Sequence, residues 1–448
     1  METTTTLEHR KMDIDFTVFK GSAGKNILQS TSHRDLPTGN QVLVKITHSG
    51  ICGTDEHYVG KDMVLGHEGV GTVQQMGEGV KGLKVGDLVG WGYTHKTCGV
   101  CDQCLIGSHI LADQGAPTGQ DQYCAERERY GVSNLDQGSF GSHAIWDASF
   151  LFKVPDGLAP EDAAPLMCGG ATVFGVIESY NIRPTDRVGV VGVGGLGHLA
   201  IQFLAKIGAA VVVFSSTEEK RDEARGLGAT EFYTTKGVKK LEIGKPLQHL
   251  LVTTSFLPDW KMFLDVMQPE GTIYPLTVSS GDLAIPVIPV VAQGLTVQGS
   301  SVASRAVHKK MLEFAARHGI RPIIERFPMT KSGVEEGMAK LRDGKMRYRG
   351  VLVVEASQAS RTETADLATL TSIIDTHIPV SILGVTALLE RSPCILNSRT
   401  DPKPVCVCVA TAAVARYRPL NLIRTRTLTY GTRLLAGQKI ALSTRAAS

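Results

Sequence analysis

Long apolar runs and a strong charge of either sign are both missing from this chain. Its 448 residues carry a formal net charge of +3, with 20% charged residues. Such a small charge indicates no nucleic-acid partner, and no apolar stretch is long enough to span a bilayer. Residues 1–13 also lack the apolar core of a signal peptide, so we expect a cytoplasmic protein without a membrane partner. No internal repeat is present.

Cysteine is limited to nine residues, but six of them precede residue 356 in two patterned groups. Clustered cysteines in a reducing compartment are better interpreted as metal ligands than as disulfides. The compact group consists of Cys98, Cys101, Cys104 and Cys124. The dispersed group consists of Cys52, His67 and Cys168. We expect a closed structural zinc at the compact group and an open catalytic zinc at the dispersed group.

The pattern of the chain changes near residue 160. Residues 40–160 contain short alternating segments and turn signals, which are typical of a small antiparallel barrel or sandwich. Beyond them, a buried strand at 187–192, a helix at 196–207 and a strand at 210–214 predict a parallel α/β sheet. Further expected elements are strands near Leu250 and at 271–278, 295–299 and 349–355, and helices at 309–318 and 334–343.

The last 93 residues, 356–448, have a different composition. They contain eleven Lys and Arg against five Asp and Glu, without sustained periodicity. We interpret this tail as disordered or as an artefact of the gene model, and a basic interaction arm is the alternative. Three tail cysteines belong to no predicted site: Cys394, Cys406 and Cys408.

A glycine-rich motif follows the first predicted strand of the α/β part and opens its helix. It reads Gly192, Val193, Gly194, Gly195, Leu196, Gly197. This context predicts a dinucleotide-binding loop, because glycines permit a tight turn and a close approach of the pyrophosphate to the helix N-terminus. Without a strand before it and a helix after it, the same motif would be interpreted as a flexible loop.

The end of the next strand predicts which dinucleotide binds. An NAD enzyme usually places an acidic residue there to hold the ribose 2′-hydroxyl. This chain has small hydroxyl side chains and a lysine instead: Ser215, Ser216, Thr217 and Lys220. They leave room and positive charge for a 2′-phosphate, so we expect NADP(H), although Glu218 and Glu219 oppose it. A solvated helix start with a Ser or Thr cap is the alternative.

Three stretches resemble the zinc-containing alcohol dehydrogenases of the medium-chain dehydrogenase/reductase family. Gly66-His67-Glu68-x2-Gly71-x5-Gly77-x2-Val80 matches the complete zinc signature of that family. Residues 50–57 resemble its first ligand loop and residues 164–172 its third. The pattern, which includes residues 346–351, most resembles the cinnamyl alcohol dehydrogenase-like group with its NADP-dependent alcohol dehydrogenases. It covers about residues 10–355.

The resemblance implies a role for each residue near the catalytic zinc. Cys52, His67 and Cys168 are the expected ligands, and two thiolates with one neutral imidazole leave a position for the substrate oxygen. Glu68 is expected to enter the coordination sphere transiently. Asp55 is expected to orient the ligand histidine.

Other expected roles concern the substrate and the cofactor. Thr54 is expected to hydrogen-bond the substrate oxygen and His57 to pass its proton to solvent. Thr172 and Ser300 join the glycine motif as expected cofactor contacts. Trp91 and Tyr93 are expected to line an apolar substrate pocket or to pack in the core.

Together these features predict an NADP(H)- and zinc-dependent oxidoreductase acting on primary alcohols or aldehydes, an α/β protein with two zinc ions per subunit. The resemblance implies a homodimer with a GroES-like β-rich catalytic domain and a Rossmann doubly wound parallel-sheet domain. The expected boundaries are 10–160 and 304–355 for the catalytic domain, 161–303 for the cofactor domain and 356–448 for the tail.

Three rival functions can each be compared with particular features of the sequence. A zinc-free quinone reductase would lack the dispersed ligand set, and a zinc polyol dehydrogenase would usually keep an acid at the strand end. A catalytically impaired paralogue that acts only by binding is favoured only by the tail and by an insertion at 108–120. The insertion separates Cys104 from Cys124, and we interpret it as a lengthened loop or a retained intron.

Overall fold

The structure is a computed structural model of the chain, in which two compact units are distinguished, residues 1–357 and 358–448. The described residues are 13–105, 119–279, 281–355, 407–412, 428–433 and 442–444. Residues 108–118 of the predicted insertion, together with Cys394 and Cys406, lie outside them. Within the described residues, no helix is both long enough and apolar enough to cross a membrane.

Short antiparallel strands dominate the first 153 residues. They are β1 Asp13–Lys20, β2 Leu28–Asp35, β3 Gln41–Ile51, β4 Gly69–Met76, β5 Leu88–Trp91, β6 Thr94–Lys96, β7 Glu128–Arg129, β8 His143–Asp147 and β9 Phe152–Lys153. The long strand β3 pairs with both β4 and β8, and β4 continues through β5 to β9. Two separate ribbons form from β1 with β2 and from β6 with β7. This confirms the predicted antiparallel β-rich part.

Strand–helix alternation begins after residue 160, as expected. The strands are β10 Arg187–Val191, β11 Ala210–Ser215, β12 Glu231–Thr234, β13 Leu247–Val252, β14 Met267–Pro275 and β15 Thr296–Val297. They form one parallel sheet in the order β12-β11-β10-β13-β14-β15. With the strands counted along the chain, this is the 3-2-1-4-5-6 order of doubly wound nucleotide-binding sheets.

The central strands are buried on both faces, as parallel strands require. Val188 and Val190 of β10 pack into one apolar cluster, whereas Val191 packs into another on the opposite face. The alternation follows from the two-residue period of a strand. It explains why this segment is continuously apolar in sequence.

Ten helices are present among the described residues. They are α1 Gly53–Tyr58, α2 Asp102–Leu105, α3 Pro160–Pro165, α4 Ala171–Ser179, α5 Gly197–Ile207, α6 Arg221–Gly226, α7 Trp260–Leu264, α8 Val287–Gln293, α9 Arg305–His318 and α10 Lys331–Arg342. A five-residue π turn, Leu166–Gly170, joins α3 to α4. Helix α9 starts earlier than the predicted 309–318, because Ser304 caps it by accepting a hydrogen bond from the Val307 amide.

The chain returns to the first sheet after residue 320. Strands β16 Ile324–Pro328 and β17 Arg349–Val353 are parallel to each other, and β17 pairs antiparallel with β3. The predicted strand at 349–355 is therefore present. It belongs to the antiparallel sheet, as the predicted closing part of the catalytic domain requires, and the exact domain boundaries stay predictions.

Three short strands are described in the tail unit. They are β18 Val407–Ala412, β19 Leu428–Arg433 and β20 Leu442–Thr444, and they form an antiparallel sheet in chain order. Cys408 lies in β18. The rest of the tail lies outside the described residues, and its irregular character stays a prediction.

Candidate active site and metal centres

The dispersed ligand candidates converge at the ends of three elements. Cys52 follows β3 and precedes α1, His67 lies just before β4, and Cys168 lies in the π turn after α3. Together with Glu68, their ligand atoms all lie within 4.8 Å of one another. Isolated π turns occur frequently at functional sites, and here the turn directs a thiol toward a ligand set.

His67 is oriented for metal binding. Its ring is fully buried, and Nδ1 donates to Asp55 Oδ1 at 2.9 Å, which leaves Nε2 facing the thiols. Nε2 has no hydrogen-bond partner among the described residues. A buried, unpartnered imidazole nitrogen beside two thiols fits a zinc ion, and the carboxylate–histidine pair fixes the tautomer that binds it.

Asp55 organises the backbone around this ligand set. Its carboxylate also accepts hydrogen bonds from the Cys52 amide at 2.8 Å and from the Gly66 amide at 3.2 Å. The Tyr130 ring stacks on His67 with 4.6 Å between centroids. One buried carboxylate therefore ties both ligand loops together, which is the orienting role expected for it.

The two thiols of this ligand set share one hydrogen bond. It holds the pKa of Cys52 well below its usual range and raises the pKa of Cys168, so Cys52 is the thiol that ionises first. Zinc binds the thiolate form of cysteine. The donor set of two sulfurs and one nitrogen is that of an open catalytic zinc site.

The two expected proton-transfer residues lie on α1. Thr54 is half-buried, and its Oγ1 lies 3.7 Å from Cys52 Sγ. His57 is exposed on the same short helix. A proton relay needs one group beside the metal site and one in solvent, and Thr54 and His57 occupy these two positions.

Glu68 is paired with an arginine for which we predicted no role. Arg349, the first residue of β17, contacts both carboxylate oxygens of Glu68, and both side chains are buried. Burial raises the pKa of Glu68 to about 7 even though Arg349 opposes the shift. Gly50 must be glycine here, because a Cβ would overlap the Glu68 carboxylate. The second carboxylate of the site is thus held by strand β17.

The compact cysteine group forms a second cluster despite the insertion. Its four sulfurs lie within 4.8 Å of one another, and the closest pairs are separated by 3.5, 3.6 and 4.0 Å. A tetrahedron with zinc–sulfur bonds of about 2.3 Å has edges of about 3.8 Å. The thiols are all free. Cys98, Cys101, Cys104 and Cys124 therefore fit a structural zinc.

The glycine motif forms the turn between β10 and α5. A Cβ on Gly197 would overlap the Gly192 carbonyl oxygen, so only glycine allows the turn to close. A Cβ on Gly194 would instead meet open space. No side chain caps helix α5, and the N-terminus of a helix favours a bound phosphate. The loop therefore fits a dinucleotide pyrophosphate, with Val193, Gly195 and Leu196 completing it.

The end of β11 has the expected hydroxyl side chains. Ser215 is buried, whereas Ser216 is exposed and Thr217 half-buried. Lys220 reaches back to the glycine loop, where its ammonium donates to the Val193 carbonyl at 2.7 Å. Glu218, which opposed the NADP(H) prediction, is paired with Arg221. The strand end thus presents a cation beside the loop.

The remaining four residues predicted from sequence to contact substrate or cofactor lie in different surroundings. Trp91 is fully buried against Trp146 in the apolar core of the antiparallel sheet, so it does not line the ligand set. Tyr93 lies edge-on to His67 with 6.0 Å between ring centroids. Thr172 and Ser300 are half-buried, on α4 and after β15. Trp91 therefore packs in the core, whereas the position of Tyr93 fits a residue that lines the substrate pocket.

Comparison with known proteins shows the family. Residues 38–156 match the alcohol dehydrogenase GroES-like domain, and residues 195–317 match the zinc-binding dehydrogenase domain. An aldehyde reductase of Synechocystis is 33% identical over 321 residues, which are 70% of this chain and 91% of that protein. The chain belongs to the zinc-dependent alcohol dehydrogenases. It is therefore an oxidoreductase of the medium-chain dehydrogenase/reductase family, and its two sheets are the GroES-like and Rossmann parts.

Solved structures of this family are also similar to this chain. A cinnamyl alcohol dehydrogenase of Sorghum bicolor has a TM-score of 0.67 and 28% identity, covering 76% of this chain and 98% of that one. The Helicobacter pylori protein CAD, in a complex with NADP(H), has a TM-score of 0.67 and 25% identity over 76% and 99% of the two chains. The similarity covers nearly the whole length of both solved chains, so this dehydrogenase has the family fold.

Proposed function

We propose that this dehydrogenase is an NADPH-dependent aldehyde reductase that also oxidises the corresponding primary alcohols. The observation that carries the proposal is the convergence of Cys52, His67 and Cys168 on one open metal site. Convergence of all three argues against the zinc-free reductase. The names of similar proteins, an aldehyde reductase and a cinnamyl alcohol dehydrogenase, support an aldehyde or alcohol substrate.

The chain's own residues supply binding, orientation and proton transfer. When bound, zinc polarises the substrate carbonyl and NADPH supplies the hydride. Asp55 keeps the His67 ring in position, Tyr130 stacks on its face, and Tyr93 lies edge-on to it. Thr54 hydrogen-bonds the substrate oxygen and donates the proton that His57 recovers from solvent. The compact cysteine group holds a second zinc, so each subunit binds two, and such free thiols need a reducing compartment such as the cytosol.

Cofactor preference is the first testable consequence. We expect a higher kcat/KM with NADPH than with NADH, and Lys220→Ala should lower the NADPH value by about tenfold, because it removes one charge-assisted hydrogen bond. Lys240→Ala, an exposed lysine of the same domain, is the matched control and should change neither value. The assay is aldehyde-dependent oxidation of each cofactor. An equal or better rate with NADH would end the NADP(H) assignment.

Homodimer formation is the second testable consequence. Helix α8 has no buried residue, and Val287, Ile288 and Val291 are 71%, 79% and 75% exposed. The helix precedes β15, the edge strand of the parallel sheet, and an apolar face beside an open edge favours a symmetric partner. Ile288→Lys should therefore convert the dimer to a monomer in light scattering, whereas Val85→Lys, at another exposed valine, should not. A monomeric unsubstituted chain would contradict this assembly.

A further inference from the structure

Helix α5 joins the cofactor loop to the returning segment of the catalytic part. His198 lies one residue after Gly197, and Gln202 lies one turn later on the same face. Both side chains bond the backbone at residues 321–323, which lead directly into β16. No role for His198 or Gln202 in the chemistry follows from the site described above.

The hydrogen bonds of His198 define its tautomer. Its Nε2 accepts from the Ile323 amide at 3.1 Å, so Nδ1 must carry the proton that is donated to the Gly194 carbonyl at 2.9 Å. The ring is completely buried, and burial lowers the pKa of His198 to about 4, which keeps the imidazole neutral. One side chain thus bridges the glycine loop and the segment before β16.

Gln202 doubles the attachment to that segment but does not contact the loop. Its amide nitrogen donates to the Arg321 carbonyl at 2.9 Å, and its carbonyl accepts from the Arg321 amide at 3.3 Å. The two residues therefore make three hydrogen bonds to residues 321–323. Only His198 also holds the loop.

The attached segment leads to the metal site. Strand β16 pairs with β17, whose first residue, Arg349, binds Glu68. Tyr348, just before it, stacks on His198 with 4.8 Å between ring centroids and an interplanar angle of 8°. Its φ of 64° is unusual for a tyrosine, which indicates that these contacts determine its conformation.

We propose that His198 is a positioning residue with two separable tasks. Its Nδ1–H fixes the Gly194 peptide so that the loop amides face the cofactor phosphates. Its Nε2, together with Gln202, keeps the cofactor domain in register with β16 and β17, and β17 contacts the metal site through Arg349 and Glu68. The proposal rests on the proposed function, because it assumes that the loop binds NADPH.

Two conservative variants separate the tasks. Asparagine places its amide nitrogen where Nδ1 lies, so His198→Asn keeps the bond to Gly194 and loses the bond to Ile323. Glutamine places its carbonyl oxygen where Nε2 lies, so His198→Gln keeps the bond to Ile323 and loses the side-chain bond to Gly194. The backbone amide of residue 198 still donates to the Gly194 carbonyl at 3.1 Å in every variant. Gln202→Met weakens only the attachment to residues 321–323 and serves as a companion to His198→Asn.

The experiment measures the Kd of NADPH by fluorescence titration and kcat for aldehyde reduction in the full-length zinc-loaded enzyme. We expect His198→Gln to raise the Kd about fivefold, the effect of one hydrogen bond, with kcat within twofold. His198→Asn and Gln202→Met should instead lower kcat about fivefold and leave the Kd within twofold.

Two results would overturn the proposal. One is an equal effect of the two His198 variants on Kd and kcat, and the other is an unchanged Kd in His198→Gln, since either would mean that the ring only fills space. Failure of the proposed function would appear differently, as an unsubstituted enzyme that does not bind NADPH at all. That outcome would overturn both proposals.

Discussion

Cys52→Ser should abolish aldehyde reduction, lowering kcat by about 10³-fold or more, because the variant loses the catalytic zinc. A serine hydroxyl is not ionised at neutral pH and cannot replace the thiolate of the open ligand set. Without the Lewis acid, the activation free energy of hydride transfer rises by several kcal/mol. The measurement combines NADPH oxidation with zinc content per chain, which should fall from two to one.

A cysteine of the second cluster provides the matched control for this substitution. Cys104→Ser should also remove one zinc per chain, but kcat should stay within a few-fold, because its sulfur belongs to the other ligand set. Its effect should fall on stability, since closed zinc sites contribute directly to folding. Full activity of Cys52→Ser with zinc depleted would refute the metal role of Cys52.

Local motifs made the fold and the ligand sets predictable from sequence. The glycine motif has a strand before it and a helix after it, and that context alone indicated the turn between β10 and α5. Cys98, Cys101 and Cys104 are so close in sequence that they must be close in space. His67 could be recognised as a ligand because the glycines around it match the complete zinc signature.

Contacts between distant residues account for what sequence reasoning missed. Arg349 and Glu68 are 281 positions apart, and nothing in the local pattern pairs them. Arg347 and Arg349 flank Tyr348 at the start of a predicted strand, and charges of this kind usually face solvent. Short helices such as α7, and the short strand β12, were also missed because a few residues show no clear periodicity.

Arg349→Met should be the most destabilising substitution of a single ion-pair residue in the described part of this enzyme. The Glu68 carboxylate would stay buried without its partner, and breaking a buried ion pair from one side costs about 3–5 kcal/mol. The bond is also the connection between β17 and the metal site. We expect the free energy of unfolding in urea, measured on the zinc-loaded protein, to fall by that amount.

The pair Arg326 and Glu161 shows why burial decides the size of this effect. Arg326 Nε, on β16, donates to Glu161 Oε2, on α3, at 2.7 Å, but the arginine side chain is 58% exposed. Water solvates the partner left behind, so Arg326→Met should cost at most about 1 kcal/mol. Equal losses for Arg326→Met and Arg349→Met would show that burial does not control the cost.

A second substitution at Glu68 distinguishes an uncompensated charge from a loss of packing. Glu68→Gln in the Arg349→Met background removes the buried carboxylate but keeps the side-chain volume. If the charge is the cause, the double variant should recover more than half of the lost stability, about 2 kcal/mol. If the double variant is no more stable than Arg349→Met, the arginine stabilises the fold by filling the space between Gly169 and Gly195, not by neutralising Glu68.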